Sequence, residues 1–365
     1  MNSQIHDKRR VYVIAEAGVN HNGSLDLAKR LIDVAAEAGA DAVKFQTFKA
    51  DKLVSREAPK AGYQLANTDN QESQYEMIRK LELDEDAHKI LIEHCKSMDI
   101  EFLSTPFDLE SLDLLSRKLD LSRIKLPSGD ITNAPLLLAT ALTGKPVILS
   151  TGMSTLGDIE LALGILAFGY LPMNEAPSIG AFERAYGSNA GRQRLRENLT
   201  LLHCTTEYPA PFDEVNLRAM TTMRQAFDVP VGYSDHTRGI AVPLAAVALG
   251  AVMIEKHFTL DQSLPGPDHK ASLEPDDLSE MVRSIREVEV AMGSTIKQPA
   301  VSELGNRLVA RKSLVAASAI SKGELFTAQN VAIKRPGNGV SPAHYWEWVG
   351  KTATRDYTAD SKLES

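Results

Sequence analysis

The chain has 365 residues, 43% of them hydrophobic and 24% charged, with a formal net charge of −8. These values describe a globular protein with a sizeable core, and exclude a disordered chain and a surface built for non-specific nucleic-acid binding. Cys95 and Cys204 are too few for a disulfide framework, and a polar N-terminus without a long apolar run points to the cytoplasm, away from membranes.

An apolar run at 11–15 ends in Glu16 and leads into Ala-Gly-Val-Asn-His-Asn-Gly. Ser24 caps a predicted helix over 25–38, whose Leu27, Leu31, Ile32 and Ala35 share one face, and Gly39 closes it. The next strand, 42–46, carries Lys44 and Gln46; the polar stretch 49–73 then reads as a loop over the mouth of the array. Helical spacing at 75–81 and 84–97 leads to a strand at 101–104, just before Thr105. The rhythm repeats with strand 123–126 before Pro-Ser128-Gly-Asp130, strand 147–150 ending in Ser150, and strand 200–203 before Cys-Thr-Thr-Glu-Tyr208-Pro. Segment 171–198 interrupts it as an inserted loop with some helix. Strands at 231–233 and 252–254 and a long amphipathic helix at 276–292 complete the series.

Eight strands alternating with helices imply an α/β chain forming a (β/α)₈ TIM barrel. An open doubly wound sheet is disfavoured, because no Gly-x-Gly-x-x-Gly turn follows the first strand. The barrel is assigned to 1–292, a polar linker without apolar period to 293–306, and a small β-rich module to 307–365. That module is small for an independent core and is expected to pack on a barrel, its own or a partner's.

His236 and His257 each end a strand, one βα unit apart, with Asp235 and Glu255 close in sequence. Carboxyl ends of neighbouring barrel strands lie side by side, so the two imidazoles are candidates for a divalent-metal site, against a structural role for each. Lys44 and Lys125 sit on strands that would enter a barrel interior. With the hydroxyls of Thr105, Ser128, Ser150 and Ser234 they suit a phosphate or carboxylate; structural ion pairs and a Schiff-base lysine are the alternatives. Glu16 either orients water or a substrate hydroxyl, or pairs with Lys44 or His21; Asp130 either acts as a base or caps the next helix. A Cys204–His203 dyad is disfavoured, because neighbours on a strand face opposite ways.

Several motifs, in this order, resemble the sialic acid synthase family over nearly the whole chain. They are Ile-Ala-Glu16-Ala-Gly-Val-Asn-His-Asn-Gly, Val-Lys44-Phe-Gln-Thr, Ser-Thr105-Pro-Phe, Lys125-Leu-Pro-Ser-Gly and Gly-Tyr-Ser-Asp-His236-Thr, followed by Glu-Lys-His257-Phe-Thr and Pro-Gly-Pro-Asp268-His. The terminal module, with Lys-Arg335-Pro-Gly-Asn-Gly, looks like that family's antifreeze-like (SAF) domain. The resemblance implies condensation of phosphoenolpyruvate with an N-acetylated hexose, N-acetylmannosamine in the first instance, with C–O cleavage and release of phosphate. A diacetamido sugar leading to legionaminic or pseudaminic acid is the alternative. It implies that His236 and His257 hold Mn²⁺, with Mg²⁺ or Co²⁺ as substitutes. Lys44, Thr105, Lys125, Ser128, Ser150 and Ser234 would hold phosphoenolpyruvate, and Gln46, Tyr208 and Asp268 the sugar. Arg335 would reach the acetamido group from the partner subunit of a domain-swapped homodimer. Asp130 departs from the Glu usual in the family, and 171–198 looks longer than usual.

Overall fold

The structure is a computed structural model and describes residues 10–68, 71–172 and 174–364; the polar segment 1–9 lies outside them. Its contacts divide the chain into two units, one ending at Gly293 and one beginning at Ser294. The first is a barrel of parallel strands: β1 (Tyr12–Gly18), β2 (Ala42–Thr47), β3 (Glu101–Pro106), β4 (Ile124–Leu126), β5 (Val147–Ser150), β6 (Leu199–His203), β7 (Val231–Asp235) and β8 (Met253–His257). They follow the order β3-β2-β1-β8-β7-β6-β5-β4, and β3 packs beside β4 to bring the ends of the sheet together.

Residue type explains the layering. Outward-facing side chains such as Val13, Val43, Val147 and Ile254 join Leu31, Leu163, Met281 and other helix residues in the large core between strands and helices. Each such side chain, fully buried, contributes about 1.5–3 kcal/mol. Inward-facing Ile14, Ala42, Leu103, Ile148, Leu202 and Met253 fill the middle of the barrel. Below them Glu101 bonds Tyr12 and Arg123, whose guanidinium lies 4.7 Å from the Tyr12 ring. Above them the inward positions turn polar. In β8 the inward series is Met253, Glu255, His257, because strand side chains alternate with a period of two. The register sets Glu16 opposite both Lys44 and His257, and Ser234 opposite Glu255.

Three stretches differ from expectation. The loop at 49–73 contains two short helices, Ala50–Leu53 and Gly62–Asn67. The insertion is mostly helical: Ile179–Gly187 and Asn189–Asn198 are both started by Ser caps, Ser178 and Ser188. The predicted linker at 293–306 is not structureless to its end, since a helix covers Glu303–Ala310. The Glu303 carboxylate accepts from the Ala300 N–H at 2.8 Å and starts it.

The second unit has a core of its own. β9 (Ser313–Ala316) pairs antiparallel with β10 (Val331–Lys334), over Leu314, Ile320, Phe326, Tyr357 and Leu363. Phe326 packs at 5.3 Å from the Trp348 ring and 5.7 Å from Tyr357, so aromatic burial offsets the unit's small size. Among the described residues no helix is long and apolar enough to cross a membrane.

Candidate active site

The polar strand ends meet in one cavity of about 320 Å³ at the carboxyl face of the barrel. Glu16, Lys44, Gln46, Thr105, Lys125 and Ser150 line it from β1 to β5. Ser128, Tyr208, Ser234, His236, His257 and Asp268 complete the lining from β7, β8 and the loops. Its outer wall is apolar and comes from segments beyond β1, β2 and β3: Val19, Phe48, Leu53, Ile78, Leu81 and Phe107.

Four charges occupy the cavity floor. Lys44 Nζ lies 2.5 Å from Glu16 Oε2 and 3.6 Å from Glu255 Oε2, and donates to Thr105 Oγ1 at 3.2 Å. Lys125 Nζ lies 3.5 Å from Glu255 Oε1 and donates to Ser150 Oγ at 2.7 Å; Ser234 Oγ donates to the same Glu255 oxygen at 2.8 Å. Glu255 thus bridges both ammonium groups. Burial favours its neutral form, but Lys125 and Lys44 outweigh that and hold it well below the usual carboxylate range. Glu16 moves the other way: burial raises it, Lys44 opposes, and Glu255 adds repulsion. Burial also pulls Lys44 down, but Glu16 and Glu255 more than reverse this, whereas Lys125 stays lowered by burial against the pull of Glu255. Glu16 Oε2 is taken up by the Lys44 ammonium, and Glu255 Oε2 lies farther from the same group. Two ammonium groups and two carboxylates lining a cavity make a floor suited to a polar ligand.

The two imidazoles converge above the floor, with ring centroids 5.8 Å apart. His236 Nδ1–H donates to the Thr205 carbonyl at 2.6 Å, which leaves Nε2 as the free lone pair. Tyr208 packs against both rings, at 4.2 Å and 5.7 Å. Burial lowers the pKa of both histidines, His257 the more strongly, so both present neutral donors. His257 Nδ1 is buried without a hydrogen-bond partner. At Gly18, with φ of +53°, a Cβ would sit 3.2 Å from Glu16 Oε1 and 3.3 Å from His257 Cε1 and crowd the same space. Two neutral, converging imidazoles with an orphaned nitrogen fit a divalent cation. Among the described residues no group of three His, Cys, Asp or Glu joins to hold one, so its other ligands would be water or substrate oxygens.

Asp268 carries the third carboxylate of the cavity lining, and burial pushes its pKa up to about 6. Asp130 is not part of the lining. Ser128–Asp130 turns into a 3-10 segment, which directs its carboxylate to Asn133 Nδ2 at 2.9 Å, and Asn133 itself caps the following helix. Arg335 belongs to the second unit and is exposed just beyond β10. Asp235 lies on the outer face of the barrel, paired with Lys256. His203 donates to or accepts from nothing in the cavity lining; its Nε2 meets the Val215 carbonyl at 2.8 Å, while Cys204 Sγ lies 3.2 Å from Ser128 Oγ.

Sequence reasoning noted Glu255 beside the histidines but gave it no role, although its place two before His257 assigns it to the same face. It missed Gly152. Its N–H donates to Ser128 Oγ at 2.9 Å, and a Cβ there would fall 2.1 Å from Thr206 Oγ1. The apolar wall was given no role, since Val19, Phe48 and Phe107 lie in loops after strands and Leu53 and Ile78 in short helices.

Comparison with known proteins places this geometry. The chain is 54% identical to an N,N'-diacetyllegionaminic acid synthase of Campylobacter jejuni, over 97% of this chain and 99% of the relative. It is 45% identical to the protein of the same name from Legionella pneumophila, over 96% and 93%. The crystal structure of an N-acetylneuraminic acid (sialic acid) synthetase from Leptospira borgpetersenii superposes with a TM-score of 0.66 at 33% identity, covering 82% of this chain and 90% of that one. Residues 31–297 match the NeuB family and 311–363 the SAF domain. The chain belongs to the NeuB family and carries a C-terminal SAF domain.

Proposed function

We propose that the chain condenses phosphoenolpyruvate with a 2,4-diacetamido-trideoxyhexose, giving N,N'-diacetyllegionaminic acid and phosphate. The observation that carries the reaction is the charged floor, where two buried lysines share Glu255 beneath two converging imidazoles. The choice of sugar follows the two relatives at 54% and 45% identity, both named for the diacetamido product. This replaces N-acetylmannosamine, the first choice from sequence, with its alternative.

Lys44 and Lys125, with Thr105, Ser128, Ser150 and Ser234, hold the phosphate and carboxylate of phosphoenolpyruvate. Gln46, Tyr208 and Asp268 hold the sugar so that its aldehyde carbon faces the enol carbon. The enol carbon forms the new C–C bond and the aldehyde oxygen takes up a proton. Water adds at the carbon bearing phosphate, and the C–O bond to phosphate then breaks. Glu16, beside Lys44 and below His257, is placed to take the proton of that water. A divalent cation on His236 and His257, Mn²⁺ in the first instance, would supply Lewis-acid polarisation of the aldehyde. Asp130, its carboxylate bonded by Asn133, is assigned no step. Arg335 reaches the acetamido group from the partner of a domain-swapped homodimer. Cys95 and Cys204 are both free and buried, in keeping with a cytoplasmic enzyme.

The test is incubation with phosphoenolpyruvate, Mn²⁺ and a panel of acetamido hexoses, with product masses and initial rates. The diacetamido product is expected at a kcat/KM at least about tenfold above that for N-acetylmannosamine. Faster N-acetylneuraminate formation would overturn the choice of sugar. Because burial lowers Lys125, borohydride is added in a parallel arm. A substrate adduct trapped on lysine would replace the condensation with Schiff-base chemistry.

A further inference from the structure

We propose that Asp235 and Lys256 are positioning residues: one ion pair on the outer face of β7 and β8 sets the spacing of the His236 and His257 rings on the inner face. The inference rests on the proposed role of those two imidazoles. Asp235 and Lys256 stand opposite each other in the register and are each 1% exposed. One residue earlier in each strand, Ser234 and Glu255 meet inside the barrel, so the ion pair points outward, away from the cavity.

The β7–β8 ladder ends at Asp235 and Lys256, so His236 lies one residue beyond the last paired position. The clamp takes over there. Lys256 Nζ bonds the Asp235 carboxylate and donates to the Thr237 carbonyl at 2.7 Å. Asp235 accepts from the Thr237 N–H at 3.0 Å and from its hydroxyl at 3.1 Å. Both neighbours of His236 are therefore tied to a single side chain, and that side chain belongs to the residue preceding His257. The β8 end is itself fixed: Phe258 N–H donates to the Glu16 carbonyl at 3.0 Å, and Leu273 N–H to the His257 carbonyl at 2.9 Å. Stability alone does not account for an ion pair in this layer, because well-packed apolar residues of similar volume usually serve as well. What the pair adds is a fixed geometry of the loop that carries His236.

The test compares Asp235→Leu/Lys256→Met, which leaves no unpaired buried charge, with Lys256→Arg and with Leu115→Ala, a cavity variant in the helix layer. Each is titrated with Mn²⁺ by calorimetry without substrates, its fold is checked by circular dichroism, and KM for phosphoenolpyruvate is measured separately. The double variant is expected to stay folded, to bind Mn²⁺ at least about tenfold more weakly and to keep its KM for phosphoenolpyruvate. Lys256→Arg is expected to retain Mn²⁺ affinity, and Leu115→Ala to lose stability without losing it. A folded double variant with wild-type Mn²⁺ affinity overturns the clamp and leaves the proposed reaction standing. A wild-type protein that binds no Mn²⁺ overturns both the clamp and the metal reading.

Discussion

Two groups of buried charges lie back to back in β7 and β8, and they differ in what they leave open. On the outer face, both carboxylate oxygens of Asp235 and the ammonium of Lys256 are taken up by each other and by Thr237. On the inner face, Lys44, Lys125, Glu16 and Glu255 also pair with one another, but there a cavity opens above them. Burial is the same in both places; access to a cavity is not. A closed cluster fixes geometry, whereas an open one keeps binding capacity for a ligand.

The contrast breaks most sharply at Lys125. Lys125→Met is expected to lower kcat/KM for phosphoenolpyruvate by roughly 10²–10³-fold in steady-state assays. Adding Glu255→Leu removes the carboxylate that has lost one of its two ammonium partners and should recover stability, read from the denaturant midpoint, without recovering activity. Gly152→Ala should cost about 10²-fold in kcat/KM, since its Cβ would fall 2.1 Å from Thr206 Oγ1 and 2.9 Å from Ser128 Oγ and push both hydroxyls aside. In the apolar layer beneath the floor, Leu103→Ala should cost about 2–5 kcal/mol of stability and leave KM unchanged.

Asp268 sharpens the comparison through pH. Its folded pKa of about 6 lies above the ordinary 3.8, so ionising it in the fold costs stability. Asp268→Asn should therefore be more stable than the parent protein at pH 8, and the difference should vanish below about pH 4, where the acid is protonated in both states. The same substitution should remove an acid limb near pH 6 from the kcat/KM profile for the sugar. Smallest in reach is Arg335→Ala, which should weaken sugar use about tenfold and leave phosphoenolpyruvate binding intact.

Much of this was legible in the sequence for one physical reason. Barrel strands covered on both faces are apolar except at the inward positions of their carboxyl ends, so Lys44, Lys125 and His257 stood out. Glu255 was equally legible by its period-two spacing from His257. Other features were not. The motif beside Asp130 points to the site, but the 3-10 turn at Ser128–Asp130 sends that carboxylate to Asn133. The helix Glu303–Ala310 shows only two turns of spacing through Leu304 and Leu308, too short to stand out from a polar stretch. The wall of Phe48, Leu53 and Ile78 forms only when a loop and two short helices come together at the mouth. The motifs do not distinguish one acetamido sugar from another, and they led first to N-acetylmannosamine.

The most direct measurement is a calorimetric titration of phosphoenolpyruvate into the wild-type protein, Lys44→Met, Lys125→Met and Asp235→Leu/Lys256→Met. If the open inner cluster is the phosphoenolpyruvate site, binding is lost in both single lysine variants and kept in the outer-face double variant. Unchanged binding in Lys44→Met and Lys125→Met would contradict it.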